Sequence, residues 1–280
     1  MKKQYEVLQW ASLFLEKHNC EPTIAEILLQ HYLHVSRSKF YMMMQDPVPD
    51  EIIAQFTRDI KTHVQTGVPV QHLTGYEFFY GRKFAVTENT LIPRPETEEL
   101  VQHIIKMELD KPTIIDIGTG SGVIAITLAL EIPNATIYAT DISEKALDIA
   151  KKNATELKAD VTFVQGNFLK PIIEQNIQAD IIVSNPPYIA KSDKGSMSRT
   201  VKDFDPELAL FADENGLAAY QQILELSTKM AETPRIIAFE IGYQQGEAVC
   251  KLIKKNYPHS SVEIIQDING KDRIVSAKLA

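Results

Sequence analysis

Beyond residue 112, short apolar runs alternate with helical stretches, and this alternation limits the fold more than any other feature of the chain. The runs are TIIDIG (113–118), ATIYATD (135–141), VTFVQG (161–166), ADIIVSNPPY (179–188) and RIIAFEIG (235–242). Between them stand helical patterns such as GVIAITLAL (122–130) and SEKALDIAKKNATEL (143–157). Short apolar strands separated by helices specify a doubly wound parallel sheet, covered by helices on both faces. Such a sheet takes ligands beyond the carboxyl ends of its strands, near the topological switch point. The chain closes on two further strand-like runs, SVEIIQD (261–267) and DRIVSAKL (272–279), joined by Asn269-Gly270, a strong hairpin signal.

The N-terminal part has a different pattern. Residues 1 to about 66 read as helices, with apolar residues at helical spacing in Tyr5, Leu8, Leu13, Leu15, then Ile24, Ile27, Leu28, and again Ile52, Ile53, Phe56, Ile60. Pro22 suits the first turn of the second helix, Ser36 a cap of the third, and Pro47 and Pro49 a break before the fourth. Residues 1–70 are therefore expected to form a small helical bundle. This segment has no glycine-rich loop and no acid–base pair, so it is assigned to substrate docking rather than chemistry. Residues 71–95 carry GYEFFYGRKFAV, read as a β-hairpin around Gly81, and the start of LIPRPETEEL. Pro93 and Pro95 stiffen the turn around Arg94, and Glu96-Thr97-Glu98 can open a helix. Residues 96–280 form the expected catalytic domain.

Composition narrows the function. The formal net charge is -8, whereas a protein that grips nucleic acid by itself usually shows a basic face. This balance points toward a protein partner and away from direct nucleic-acid binding. No apolar run approaches the roughly 18 residues needed to span a bilayer, and the polar start is not that of a signal peptide. Cys20 and Cys250 are isolated thiols that suit a reducing compartment, and no Cys/His spacing makes a metal site. The expectations are a cytoplasmic monomer that uses no metal and no membrane.

Two motifs carry the chemistry. Gly118-Thr119-Gly120-Ser121-Gly122 follows the first sheet strand and opens a helix, where glycines let the backbone approach a ligand closely. Asp141 ends the second strand and can accept from both hydroxyls of a ribose; alternatively Asp141 or Ser143 caps the helix that follows. Gly166-Asn167-Phe168 ends the third strand, where Phe168 either contacts an adenine ring or belongs to the core. These features fit a nucleotide-type cofactor without choosing between a dinucleotide and S-adenosylmethionine.

Asn185-Pro186-Pro187-Tyr188 chooses the reaction. A planar NH2 group, on an amide or an exocyclic amine, has a delocalised lone pair and no side chain in water can deprotonate it. It must be held through its N–H bonds so that the nitrogen faces an electrophilic methyl. The Asn185 side-chain oxygen and the Pro186 carbonyl supply two acceptors, the prolines stiffen the loop, and Tyr188 offers a flat surface for stacking. Positioning and electrostatics then supply the rate, and a sulfonium needs neither metal nor strong base to leave.

With these residues in view, the chain resembles the release-factor glutamine N5-methyltransferases, the PrmC/HemK family. The resemblance runs from about Gly75 to the C-terminus. It is carried by Gly75, Glu77 and Phe78, by Leu91 to Glu98, by Asp116 to Gly122, Asp141 and Asn185 to Tyr188, by Glu240-Ile241-Gly242 with Gln245, and by Asp272-Arg273. PRPETE together with NPPY is its most specific part. It implies a class I S-adenosylmethionine-dependent methyltransferase: a seven-stranded, mostly parallel sheet ending in an antiparallel hairpin, preceded by a small helical domain. It implies that Gly118 to Gly122, Asp141, Phe168 and Asn185 bind S-adenosylmethionine, with S-adenosylhomocysteine as product. It implies that Asn185, Pro186, Pro187 and Tyr188 bind a glutamine amide in the Gly-Gly-Gln loop of a peptide chain release factor. The chain departs from the family at Phe168, often tryptophan there, and at Asp205-Pro206, often Glu-Pro. Two rivals remain at this point, a nucleic-acid amino methyltransferase and a non-catalytic module on the same fold. The acidic balance and PRPETE count against the first, the intact glycine loop and NPPY against the second.

Overall fold

The computed structural model describes residues 2–195 and 199–279. The chain comprises two compact units, one of Met1–Gly75 with Ser198–Phe204, the other of Tyr76–Met197 with Asp205–Ala280.

The first unit is helical: α1 (Gln4–Lys17), α2 (Thr23–Leu33), α3 (Arg37–Met42), α4 (Asp50–Thr66) and the short α5 (Val70–Thr74). Ser36 caps α3 with its side chain, accepting from the Lys39 N–H, and Pro49 stands immediately before α4. The buried face of α1 differs from the sequence reading. Val7, Ala11 and Leu15 are buried, while Tyr5 and Leu13 are exposed. Positions 7, 11 and 15 keep one helix face, which the series 5, 8, 13, 15 does not. In α2, Ile27 is exposed and its neighbours Ala25, Leu28 and Leu29 are buried. The alanines let the helix backbones approach, so the small residues rather than the largest mark the seam. Phe40, Phe56 and Ile60 complete this core.

The second unit opens with a hairpin of β1 (Tyr76–Phe79) and β2 (Arg82–Ala85). Its two turn residues, Tyr80 and Gly81, both have positive φ, 50° and 72°, as a type I′ turn requires. The main sheet comprises β3 (Thr113–Ile117), β4 (Thr136–Asp141), β5 (Thr162–Gln165) and β6 (Ile181–Ser184), then, after a small parallel pair β7 (Ile189–Ala190) and β8 (Phe211–Ala212), β9 (Ile236–Glu240), β10 (Ser261–Gln266) and β11 (Asp272–Lys278). Its strand order is β10-β11-β9-β6-β3-β4-β5. The five strands from β9 to β5 are parallel, and β11 enters antiparallel between β9 and β10. The final hairpin forms at Asn269-Gly270 as expected, but its loop is longer than two residues: the Asp267 N–H donates to the Lys271 carbonyl, and a bulge follows Ile265.

Alternation along each strand feeds two cores. Ile114, Ile137, Val183 and Ala238 pack with α6 (Pro95–Ile105), α7 (Val123–Glu131) and α8 (Glu144–Leu157) on one face. Ile115, Ile117, Ile182 and Phe239 pack on the other with helices Ala218–Ser227 and Gly246–Asn256. Phe79 and Phe84 of the β1–β2 hairpin are buried in the first of these cores. No helix among the described residues is long and apolar enough to cross a membrane.

Candidate active site

Residues at or just beyond the carboxyl ends of five parallel strands line or underlie one cleft: Gly118 after β3, Asp141 at the end of β4, Gly166 after β5, Asn185 after β6 and Glu240 at the end of β9. β3 lies between β4 and β6, so the sheet changes its winding direction there. The cleft holds about 340 Å³ and is lined by Gly118, Gly120, Asp141, Ile142, Phe168 and Asn185, among others.

Its first half is the glycine loop. Gly118 and Gly120 have φ of 71° and 56°, and a Cβ on either would meet no atom within 4 Å. The loop therefore leaves open space where a ligand can lie against backbone. At Gly122 the close approach is internal. A Cβ there would stand 2.7 Å from Ile126 Cδ1 and 3.1 Å from Ala150 Cβ, so this glycine lets α7 pack on α8. Thr119 and Ser121 are buried. The Thr119 hydroxyl donates to Asp116 Oδ2 at 2.6 Å, and the Ser121 carbonyl accepts from Asn153 Nδ2 at 2.9 Å. These three hold the loop's shape from beneath, while Gly118 and Gly120 face the cleft.

The two candidate caps of α8 separate in the structure. Ser143 is the N-cap, its Oγ accepting from the Ala146 N–H. Asp141 accepts at 2.9 Å from the Gly120 N–H through Oδ2 and at 2.9 Å from the Ser143 N–H through Oδ1. A carboxylate has about four acceptor positions, so Asp141, which also meets the Ile142 N–H, keeps acceptor capacity toward the cleft. Phe168, with φ of 51°, lines the cleft and also packs on the core beneath it. Ile142 and Leu208, both exposed, and Phe211 add apolar surface to the same cleft. Open backbone, a diol-type acceptor and flanking apolar walls fit a nucleoside carrying an amino-acid tail, such as S-adenosylmethionine.

The second half is built around the Asn-Pro-Pro-Tyr loop. Asn185 and Pro187 line the cleft, Pro186 is buried, and Tyr188 packs against the core. Asn185 Nδ2 donates to Thr97 Oγ1 at 3.2 Å, and the Thr97 hydroxyl donates to Glu240 Oε2 at 2.6 Å. The Tyr188 carbonyl accepts from Gln245 Nε2 at 2.9 Å, while Gln245 Oε1 accepts from the Gly242 N–H at 3.1 Å. The Tyr220 hydroxyl donates to the Glu240 carbonyl at 2.9 Å. Arg94 and Asp205 pair at 2.8 Å, and the adjoining Pro206 lines the cleft. Sequence reasoning gave Thr97 a place in a helix start and in a family pattern, and Glu240 and Gln245 only a place in that pattern. The local signal for their roles was one buried-strand acid and one polar residue after a glycine.

Burial dominates the electrostatics. It raises the fully buried Asp116 carboxyl to about 7 against the hydrogen bonds from Thr119 and Ala125. It raises Glu240 likewise to about 7, opposed by the Thr97 hydrogen bond and the Arg273 charge. Asp141 is raised by the same cause and pulled back by the N–H groups of Ser143, Gly120 and Ile142. Tyr188 is pushed to about 12, first by burial and then by Glu240, so it is a neutral phenol throughout the physiological range.

These shifts have a consequence for the free protein. Asp116 and Glu240 keep their protons to higher pH when folded than when unfolded, so between about pH 4 and pH 7 the native state binds more protons. The contribution of these two acids to stability should therefore be greatest near the lower end and fall as pH rises to about 7. Urea unfolding across that range measures it, and the Asp116→Asn/Glu240→Gln double variant should flatten the slope. An unchanged slope in the double variant would rule these two acids out as its cause.

Comparison with known proteins follows the same division. Residues 6–75 match the PrmC N-terminal domain family, and residues 95–204 match the methyltransferase small domain family. The release factor glutamine methyltransferase of Bacillus cereus is 44% identical over 280 residues, covering 98% of this chain and 99% of the relative. The Bacillus subtilis protein of the same name is 42% identical, covering 99% and 98%. Among solved structures, a methyltransferase from Pyrococcus furiosus aligns with a TM-score of 0.51 at 17% identity, over 81% of this chain and 96% of that one. The hMettl16 catalytic domain in complex with the MAT2A 3'UTR hairpin 6 aligns with a TM-score of 0.55 at 18% identity, over 82% of each chain. The sheet order and these structures make the fold that of class I methyltransferases. Near full-length identity above 40% with the named relatives establishes that this chain belongs to the release factor glutamine methyltransferase family.

Proposed function

We propose that this protein transfers a methyl group from S-adenosylmethionine to the side-chain amide nitrogen of a glutamine in the Gly-Gly-Gln loop of peptide chain release factors. The observation that carries this reading is the orientation of Asn185, whose NH2 is engaged by Thr97 while the residue lines the cleft. S-adenosylmethionine supplies an electrophilic methyl on a sulfonium that leaves as a thioether. Gly118 and Gly120 give its tail backbone to lie against, Asp141 accepts from the ribose hydroxyls, and Phe168 and Ile142 flank the adenine. Asn185 Oδ1 and the Pro186 carbonyl hold the two N–H bonds of the glutamine amide, so that its nitrogen faces the methyl. Pro187 and Tyr188 bound the planar group. Once methylated, the nitrogen is strongly acidic and gives a proton to water, so no side chain need act as a strong base. The rate then comes from alignment and pre-organised acceptors.

The decisive experiment is mass spectrometry of release factors from cells with and without the protein, seeking a methyl group on glutamine. The same factors unmethylated in both would overturn the proposal. Asp141→Ala should weaken S-adenosylhomocysteine binding, since each hydrogen bond to a charged group contributes on the order of 1.5–3 kcal/mol. Calorimetry showing unchanged affinity would remove Asp141 from the ribose site.

Residues 1 to about 70 are proposed to dock the protein substrate, a role supported by a helical core without chemical motifs. Deleting them should spare cofactor binding and impair methylation of the intact factor; equal rates with and without them would end that assignment. The protein is proposed to act as a cytoplasmic monomer on a protein substrate, with no direct contact to nucleic acid. Its net charge of -8 supports that reading.

A further inference from the structure

An asparagine side chain has two orientations of nearly the same shape, and only one of them offers oxygen to the cleft. Shape alone does not choose between them. The groups behind Asn185 do. Glu240 is 1% exposed at the end of β9, and as a carboxylate it can only accept hydrogen bonds. Thr97, 3% exposed in the first turn of α6, has one hydroxyl proton, and it lies 2.6 Å from Glu240 Oε2. With that proton committed, Thr97 Oγ1 can only accept from Asn185, 3.2 Å away, and the only donor on Asn185 is its NH2, which Glu240 also accepts from directly. The amide oxygen is left for the cleft.

We infer that Thr97 and Glu240 are positioning residues for methyl transfer, a hydrogen-bond relay whose members both accept from the Asn185 NH2 and so set the orientation of its amide. The inference rests on the function proposed above and adds two residues to it. With the relay absent, the flipped amide becomes available. It would present NH2 to the NH2 of the substrate, donor against donor, and the acceptor that aims the nitrogen would be lost. The charged and titratable groups around Glu240 are Arg273 of β11, Glu96 of α6, Tyr188 after β6 and Tyr220 of the helix behind β9. Burial sets the Glu240 carboxyl at about 7, so an assay at about pH 8 tests the ionised, acceptor-only form.

The test is single-turnover methyl transfer to an intact release factor, with S-adenosylmethionine saturating, beside calorimetric affinity for S-adenosylhomocysteine. Thr97→Val keeps the shape and removes the hydroxyl. It should slow transfer roughly 10–100-fold, by analogy with losing the hydrogen-bond partner that orients a metal-ligating side chain, with cofactor affinity retained. Thr97→Ser restores the hydroxyl and should recover most of the rate, which a packing role for the Thr97 methyl would not allow. Glu240→Gln can also donate to Thr97, so it should slow transfer about 10-fold or more, and it provides a second measurement if Thr97→Val folds poorly. Because the relay acts through Asn185, Thr97→Val should cost nothing further in an Asn185→Ala background. Wild-type transfer by both Thr97→Val and Glu240→Gln would overturn the relay, as would an equal loss with Asn185 already removed. A wild-type protein that never methylates a release factor would instead overturn the function itself.

Discussion

Asn185→Ala is expected to slow methyl transfer to a release factor by roughly 10²–10³, about 2.7–4 kcal/mol, the cost of deleting one pre-organised polar group from a transition-state site. The nucleophile is poor because its lone pair is shared with a carbonyl, so geometry has to supply what basicity does not. Removing the acceptor leaves the glutamine nitrogen free to rotate out of line with the methyl. Cofactor affinity should fall much less, because Gly118, Gly120 and Asp141 line the cleft independently of Asn185. Asn185→Asp distinguishes acceptor capacity from charge. It keeps the size and gains an acceptor, but it places a negative charge near the sulfonium in both ground and transition states, and uniform stabilisation does not raise the rate of the bound complex. Its own lack of an NH2 also removes the donor to Thr97. Transfer at the wild-type rate by Asn185→Ala with cofactor saturating would reduce the Asn-Pro-Pro-Tyr loop to a rigid turn.

The second large effect is expected at Gly216, a residue outside every motif. Its φ is 84°, and a Cβ there would lie 2.1 Å from the Tyr188 carbonyl oxygen, 2.9 Å from the Tyr188 carbonyl carbon and 2.7 Å from Gln245 Nε2. Two of those atoms are backbone, so the loop itself must move. Gly216→Ala combines left-handed strain of about 1–2 kcal/mol with overpacking of about 1–3 kcal/mol. The displaced carbonyl also loses its bond from Gln245. Methyl transfer should drop by an order of magnitude or more, about 1.4 kcal/mol per factor of ten, while S-adenosylhomocysteine still binds. Gly270→Ala is the control, since its φ is 74° yet nothing lies within 4 Å of the added Cβ; it should cost strain and leave transfer intact. Equal behaviour of the two variants would mean that the close approach at Gly216 is relieved without consequence.

The parts of the site that could be read from sequence are those in which cause and effect lie close together in the chain. A strand end, a glycine turn and a helix start follow one another from Thr113 to Val123, and local periodicity identifies them. Asp141 and Ser143 illustrate the limit: both could cap α8, and only the contact from Asp141 to the Gly120 N–H, 21 residues away, separates their tasks. Gly122 looks identical to Gly118 and Gly120 in sequence, yet it serves helix packing because Ala150 lies against it. The buried face of α1 was obscured because Ala11 carries little hydrophobic signal and Leu13 carries much. Thr97, Glu240, Gln245 and Gly216 acquire their tasks from partners brought together by the sheet order, and no local pattern contains that information.

The start of α6 ties distant parts of the second unit together. Thr97 bonds Glu240, 143 residues away; Glu98 accepts from the Tyr80 N–H at the tip of the first hairpin; Glu99 accepts from the Ile268 N–H, 169 residues away in the last hairpin. Seen as an order of assembly on the ribosome, this clasp divides the active site in time. The contact between Asp141 and the glycine loop spans 21 residues and can form once β3 to β5 have emerged. The amide-holding half cannot form until β9 and the residues after it are made, because Glu240 and Gln245 arrive only then. Non-local closure of this kind is slow relative to local pairing, so the bonds that shape the glycine loop can form before those that aim the nitrogen.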